Sequence, residues 1–272
     1  MVSAEYIQAR QVDEKFKPDK EDTHTIPMNL AGWTRSHDSL RQELAVIQKV
    51  LEKLRSKKSL RDDQKKKLQS AWNVHKQHMH EHHHNEDDIY FPEMSKRYMV
   101  PKNMSEDHVG LNKRMDDMEP LFSSLTDITK LYKQWLEYHK YLEKHFIFEE
   151  THGLPLSRAY FTEKELKDIE KQFVEKTPPL LAGSFLFWQG LEVSDLPKKP
   201  EVPPQPWFAC FSGPPSVDFE MPGYAGSVKK GVDDFMVQEG IPWFVYYLVF
   251  KGGLEEYIRV FARPISELLL AD

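Results

Sequence analysis

Two stretches of this chain pair a histidine with a glutamate one helical turn later. The first is His82-His83-His84-Asn85-Glu86-Asp87-Asp88-Ile89-Tyr90-Phe91-Pro92, and the second, sixty-three residues on, is His145-Phe146-Ile147-Phe148-Glu149-Glu150-Thr151-His152-Gly153-Leu154-Pro155. Each has His, then Glu four residues later, a second acid directly after it, and Pro six residues after the Glu. Residues four apart share one face of a helix. An imidazole and a carboxylate placed so can reach one ion. Two such helices facing each other can build a shared metal site.

Helical spacing supplies the elements that would hold them. A first helix from near Met28 carries Trp33, His37, Leu40, Leu44, Ile47 and Leu51 on one stripe, and Ser56-Lys57-Lys58-Ser59 closes it. A second runs from about Asp62 to Arg97. Leu68, Ala71, His75, Met79, Glu86 and Ile89 lie within about 40–60° of His82 at about 100° per residue. A third, capped by Ser105 with Glu106 and Asp107 in its first turn, carries His108, Leu111, Met115 and Met118, and Pro120 should end or kink it. The fourth begins near Thr126 and ends before Gly153, read as a left-handed cap, with the stripe Leu131, Trp135, Tyr138, Leu142, His145, Glu149. The expected fold is all-α, a four-helix bundle. Its halves echo each other: a lone inward histidine, His37 or His108, and then a helix with the His/Glu pair.

In such a bundle His37, His82, Glu86, His108, His145 and Glu149 can converge on the core. That is two imidazoles per ion, with the carboxylates bridging. Nitrogen and oxygen donors without thiolate suit iron or manganese, with zinc possible. His80-Glu81-His82-His83-His84 also fits a zinc-protease pattern. We reject it, because His80 and His84 share a face with Asn73, Lys76, Gln77 and Asp87, and His82 points about 200° away from His80. His80, His83 and His84 read as a polar surface tract. His75, one heptad before His82, and Tyr138 either lie just outside the metal ligands or are core residues with a satisfied polar end. Arg41 either neutralises a buried carboxylate, takes a substrate acid or makes a salt bridge at the bundle edge.

These residues resemble the hemerythrin-like family, the His/His/Glu (HHE) cation-binding domain. Four motifs in order carry the resemblance: Ser36-His37-Asp38-Ser39-Leu40-Arg41, the His82–Pro92 run, Asp107-His108, and the His145–Pro155 run. Together they cover about residues 28–155. The resemblance implies a non-haem centre of two iron ions that meets dioxygen as ligand or co-substrate. One position departs from it. Oxygen-carrying members place a second histidine one turn after the third-helix histidine, and here that position is Asn112. Four histidines in place of five leave an open or water-filled position, which metal catalysis needs.

The rest of the chain bounds the reading. It has 272 residues, 40% hydrophobic and 29% charged, with net charge −6. No basic domain stands out, which argues against a nucleic-acid partner. The polar N-terminus lacks a secretory pattern, and the single Cys210 excludes an intramolecular disulfide. Both suit a soluble, cytoplasmic protein. The longest apolar run, Ile241 to Phe250, is about half the ~20 residues a spanning helix needs.

Residues 1–27 read as an extended arm and 156–272 as an extension covering the bundle. In the extension a helix over 161–176 with Thr162 as cap precedes the apolar segment Leu180–Leu191. A stretch with eight prolines between Pro197 and Pro222 follows, and its aromatics Trp207, Phe208, Phe211, Phe219 and Tyr224 should pack against something. Two helical segments, about 228–250 and 254–270, finish the chain. The extension could contact a membrane, but covering the bundle or forming a homodimer contact is the cheaper expectation. It could also wall a pocket beside the metals. The expected function is therefore a diiron enzyme that activates dioxygen to oxidise a small organic substrate. The alternative is a non-catalytic oxygen- or iron-binding carrier, store or sensor.

Overall fold

The structure, a computed structural model, describes residues 13–57, 59–193 and 219–271. Trp207, Phe208, Cys210, Phe211 and most of the proline-rich stretch lie outside them. Helix α1 (Gly32–Leu54) follows a single 3-10 turn over Met28–Leu30, so it starts one turn later than expected. Helix α2 (Asp62–Asn85) continues through a π turn, Glu86–Tyr90, into Phe91–Ser95. Helix α3 is Lys102–Ser124. Helix α4 (Ile128–Phe148) continues through a π turn, Glu149–Gly153, into Leu154–Tyr160. The four form a bundle in which α1 packs on α2 and α4, and α3 packs on α2 and α4.

The extension is mostly helical and packs on the bundle. Helix α5 (Glu163–Lys176) is capped by Thr162, whose hydroxyl accepts from the Glu165 N–H while Glu165 reaches back, a capping box. Helix α6 is Pro179–Trp188 and α7 is Val228–Gln238. Helix α8 begins at Trp243–Val245 and reaches Arg263–Leu270 through two π turns, Tyr246–Phe250 and Ile258–Ala262. Strands β1 (Leu191–Val193) and β2 (Tyr224–Gly226) pair antiparallel. Helix α6 lies on α1 and α2, and α8 lies on α6, α2 and α1. Where α6 crosses α8 the backbones touch: a Cβ on Gly183 would strike the backbone of Gly253. The arm from Asp13 to Pro27 is largely extended and tied down by long-range bonds, as where His24 Nε2 meets the Phe161 carbonyl at 2.8 Å. Among the described residues no helix is long and apolar enough to cross a membrane.

Prolines depart most from expectation. Pro120 sits inside α3 and does not end it. Pro92, Pro155 and Pro264 each stand two residues past the end of a π turn. A proline in an α-helix removes one N–H and its ring strikes the carbonyl four residues back. The wider turn bonds five residues back, Phe91 N–H to Glu86 and Leu154 N–H to Glu149, and so carries the helix past the ring. Two caps were also misassigned. Helix α3 starts at Lys102 behind Pro101, so Ser105 lies within its first turn. Gly153 is right-handed, with φ −71°, and α4 runs on through it. Its missing side chain is a matter of space: a Cβ would lie 2.5 Å from Met104 Cε and 2.7 Å from the Trp33 ring. The last two helices divide near Gly240, at φ 65°. There Ile241 N–H bonds the Met236 carbonyl and Gly240 N–H that of Val237, closing α7 in a Schellman motif.

Candidate metal centre

Both π turns open on a glutamate of the His/Glu pairs, Glu86 and Glu149. The wider turn sets each carboxylate into the bundle core. His82 Nε2 lies 3.2 Å from Glu86 Oε1, and His145 Nε2 lies 3.3 Å from Glu149 Oε2. The lone histidines close the cluster. His37 Nε2 is 3.3 Å from Glu149 and 3.8 Å from Glu86, and His108 Nε2 is 3.3 Å from Glu86 and 3.9 Å from Glu149. All six side chains expected at the site are buried and fall into two overlapping groups. His37 and His82 make one group with both carboxylates, and His108 and His145 make the other. In each group the donor atoms lie within 4.8 Å of one another.

Four imidazole Nε2 atoms and three carboxylate oxygens of these residues are buried with no hydrogen-bond partner among the described residues. Buried polar atoms are nearly always bonded. A cluster of unpartnered donor atoms all facing one point fits cations held between them. The Nδ1 atoms, by contrast, face outward to partners. Glu150 lies 2.9 Å from His37 Nδ1 and Asp87 lies 2.9 Å from His108 Nδ1. Ser36 is 3.2 Å from His82 Nδ1 and Asp107 is 3.8 Å from His145 Nδ1. The bonds to His37, His82 and His108 fix the ring orientation and direct Nε2 inward, whereas Asp107 is too far from His145 Nδ1 for a hydrogen bond. Trp33 donates its indole N–H to Glu86 Oε1 at 2.6 Å.

The electrostatics also call for positive charge. Burial opposes charge on His37, but Glu149, Glu150 and Glu86 outweigh it and raise its pKa well above the usual value. His108 is likewise raised to about 10, with Asp87 and Glu86 outweighing burial. Burial, then the charge of Glu86, raises the Glu149 carboxyl. Burial drives His82 and His83 well below the usual histidine value, so both are neutral and free to donate lone pairs. Cations entering the cluster would displace the protons that His37 and His108 otherwise hold.

The remaining candidates fall elsewhere. Arg41 pairs through both terminal nitrogens with Glu150, at 2.7 and 3.1 Å, and through Nε with Glu143. It therefore neutralises the acid that holds His37. His75 and Tyr138 serve a second buried cluster around Glu43. His75 Nδ1 lies 3.0 Å from Glu43 Oε2, and its Nε2 lies 3.0 Å from the Tyr138 hydroxyl. Glu43 Oε1 accepts from Ser184 at 2.6 Å and Tyr257 at 2.9 Å, both from the extension, with His78 Nδ1 at 3.2 Å. Burial works against this charge, but His78 and His75 hold the Glu43 carboxyl low. Asn112 is half-buried and its Oδ1 has no partner among the described residues.

His83 is a correction. His80 and His84 are exposed, as read, but His83 is only 3% exposed and stacks on His108 with ring centroids 4.0 Å apart. Helix α2 is buried on more than one stripe because α3 and α4 cover its second flank. Glu43 and His78 were missed too. The signal for His78 was present, since it lies about 40° from His82 on the helix wheel.

Residues 28–139 match the family model of the hemerythrin HHE cation-binding domain. The bundle is hemerythrin-like. The matched span holds His37, His82, Glu86 and His108, while His145 and Glu149 lie beyond it and join the cluster through the fold. Comparisons of the chain with curated proteins and with solved structures gave no match.

Proposed function

We propose that this chain is a non-haem dinuclear iron protein whose bundle core binds dioxygen. The observation that carries it is the set of buried, unpartnered Nε2 and carboxylate atoms of His37, His82, His108, His145, Glu86 and Glu149. His37 and His82 would hold one ion, His108 and His145 the other, with Glu86 and Glu149 shared. All-nitrogen-and-oxygen donors suit iron above softer-ligand metals. Ferrous iron held by these residues would supply the electrons that dioxygen binding requires.

The surrounding residues orient the ligands and keep water out. Phe146 stacks on His37 at 4.2 Å and lies edge-on to His82, and Phe91 covers His108. Trp33 holds one oxygen of Glu86, and the other, unpartnered among the described residues, would be free to hold a metal ion. Beside Trp33 a cavity of about 30 Å³, lined also by Tyr90, Leu154 and Glu170, has room for one molecule the size of water. A second reading, oxidation of a small organic substrate, is favoured by Asn112 and its unpartnered oxygen on the third helix.

Anaerobic loading with ferrous iron followed by oxygen separates the two. A visible band that appears with oxygen and vanishes under vacuum is the expected result. Irreversible oxidation coupled to loss of an added organic substrate would replace the binding reading with the enzymatic one.

A further inference from the structure

His83 is the one inward histidine with nothing to do. Its side chain is buried, and neither ring nitrogen has a hydrogen-bond partner among the described residues. His37, His82 and His108 each have a hydrogen-bond partner at Nδ1, and His145 Nδ1 faces Asp107 at 3.8 Å. An imidazole stripped of water at both nitrogens is costly unless something else takes a lone pair. Its position says what that is. His83 lies about 100° round α2 from His82, so it faces away from the His37/His82 side. It stacks on His108 with the rings 16° from parallel, and its centroid is 5.9 Å from that of His145. One nitrogen from each of His83, His108 and His145 falls within 4.8 Å of the other two.

We infer that His83 supplies a third imidazole to the ion at His108 and His145, which rests on the dinuclear reading above. The centre is then lopsided. The ion at His108 has three imidazoles and the two shared carboxylates, and the ion at His37 has two imidazoles and the same carboxylates. Open positions therefore concentrate on the His37/His82 ion.

Cobalt(II) is a probe whose visible absorption reports coordination. Full-length wild type, titrated anaerobically with cobalt(II), should take two ions per chain. His83→Ala should keep one step unchanged and weaken the other by roughly 10-fold or more, and added imidazole should restore the weakened step. Should the alanine variant fold poorly, His83→Gln keeps the volume. In the cobalt-loaded protein, proton NMR should then show one fewer hyperfine-shifted imidazole N–H than wild type. Two ions in wild type with both steps and both spectra unchanged in the variants would overturn the assignment of His83 alone. Fewer than two ions in wild type would overturn the dinuclear reading and the assignment with it.

Discussion

Glu150 and His37 stand 113 residues apart in the chain, and the Glu150 carboxylate lies 2.9 Å from the His37 Nδ1. The contact has a counterpart in the other half, where Asp87 lies 2.9 Å from His108 Nδ1. In both, the acid that follows the glutamate of a His/Glu pair orients the lone histidine of the opposite half. Ser36 and Asp107, each just before a lone histidine, approach the paired histidine of their own half. The repeat seen in the sequence thus extends to the partners that aim the rings.

Removing these acids should cost metal without emptying the site. Glu150→Gln and Asp87→Asn should each weaken uptake of one ion by about 10–100-fold, the usual cost of losing a partner of this kind. Competition with a chelator of known affinity measures it. Affinity equal to wild type in both variants would mean that these contacts do not orient ligands.

The Glu43 cluster should matter to stability and not to metal stoichiometry. Glu43→Ala strips a buried charge from two histidines, a serine and a tyrosine, and breaking a buried charge pair typically costs about 3–5 kcal/mol. Ser184→Ala removes one hydrogen bond to it and should cost about 1–3 kcal/mol. Urea denaturation reads both. A Glu43→Ala chain as stable as wild type would show that the extension is not anchored through this carboxylate.

The bundle was legible because each helix interrupts an apolar stripe with one histidine or one His/Glu pair, and the halves repeat that pattern. What escaped depended on distant covering. Glu43 looks like a surface acid on α1 until Ser184, 141 residues on, and Tyr257, 214 residues on, bury it. His83 escaped because a single-stripe reading assumes that a helix has one buried face. Pro120 was read as a breaker yet lies inside α3, and π turns at Glu86, Glu149 and Ile258 absorb Pro92, Pro155 and Pro264. The cavity of about 30 Å³ beside Trp33, lined from the extension by Leu166 and Glu170, includes none of the six metal-site residues.

A pH dependence follows from Glu170, whose carboxylate occupies the space left by the missing side chain of Gly32. Burial, then the charge of Glu239, raises its pKa from 4.5 to about 7. The folded chain therefore holds this proton to higher pH than the unfolded chain. Its contribution to stability is full below 4.5 and is lost as pH rises through about 7. Glu170→Gln stays neutral, so it should gain on wild type in denaturation at pH 8 relative to pH 5. An equal difference at both pH values would contradict the shift.

Metal removal should destabilise the bundle, because binding energy at such a site is partly folding energy. Free metal at about 1,000 times its Kd adds about 4 kcal/mol, or roughly 10 °C in Tm for a chain of this size. Chelation should erase that increment in wild type, while His82→Ala and Glu149→Ala should lack it from the start. A Tm indifferent to chelation would count against a structural contribution from the metal.

The most direct measurement is the iron stoichiometry. Ferrous iron titrated anaerobically into the full-length chain, with bound metal counted after removal of the excess, should saturate at two ions per chain and fall below two in Glu86→Ala. Saturation at one ion or none in wild type, or two ions retained without Glu86, would contradict a dinuclear centre built on the shared glutamates.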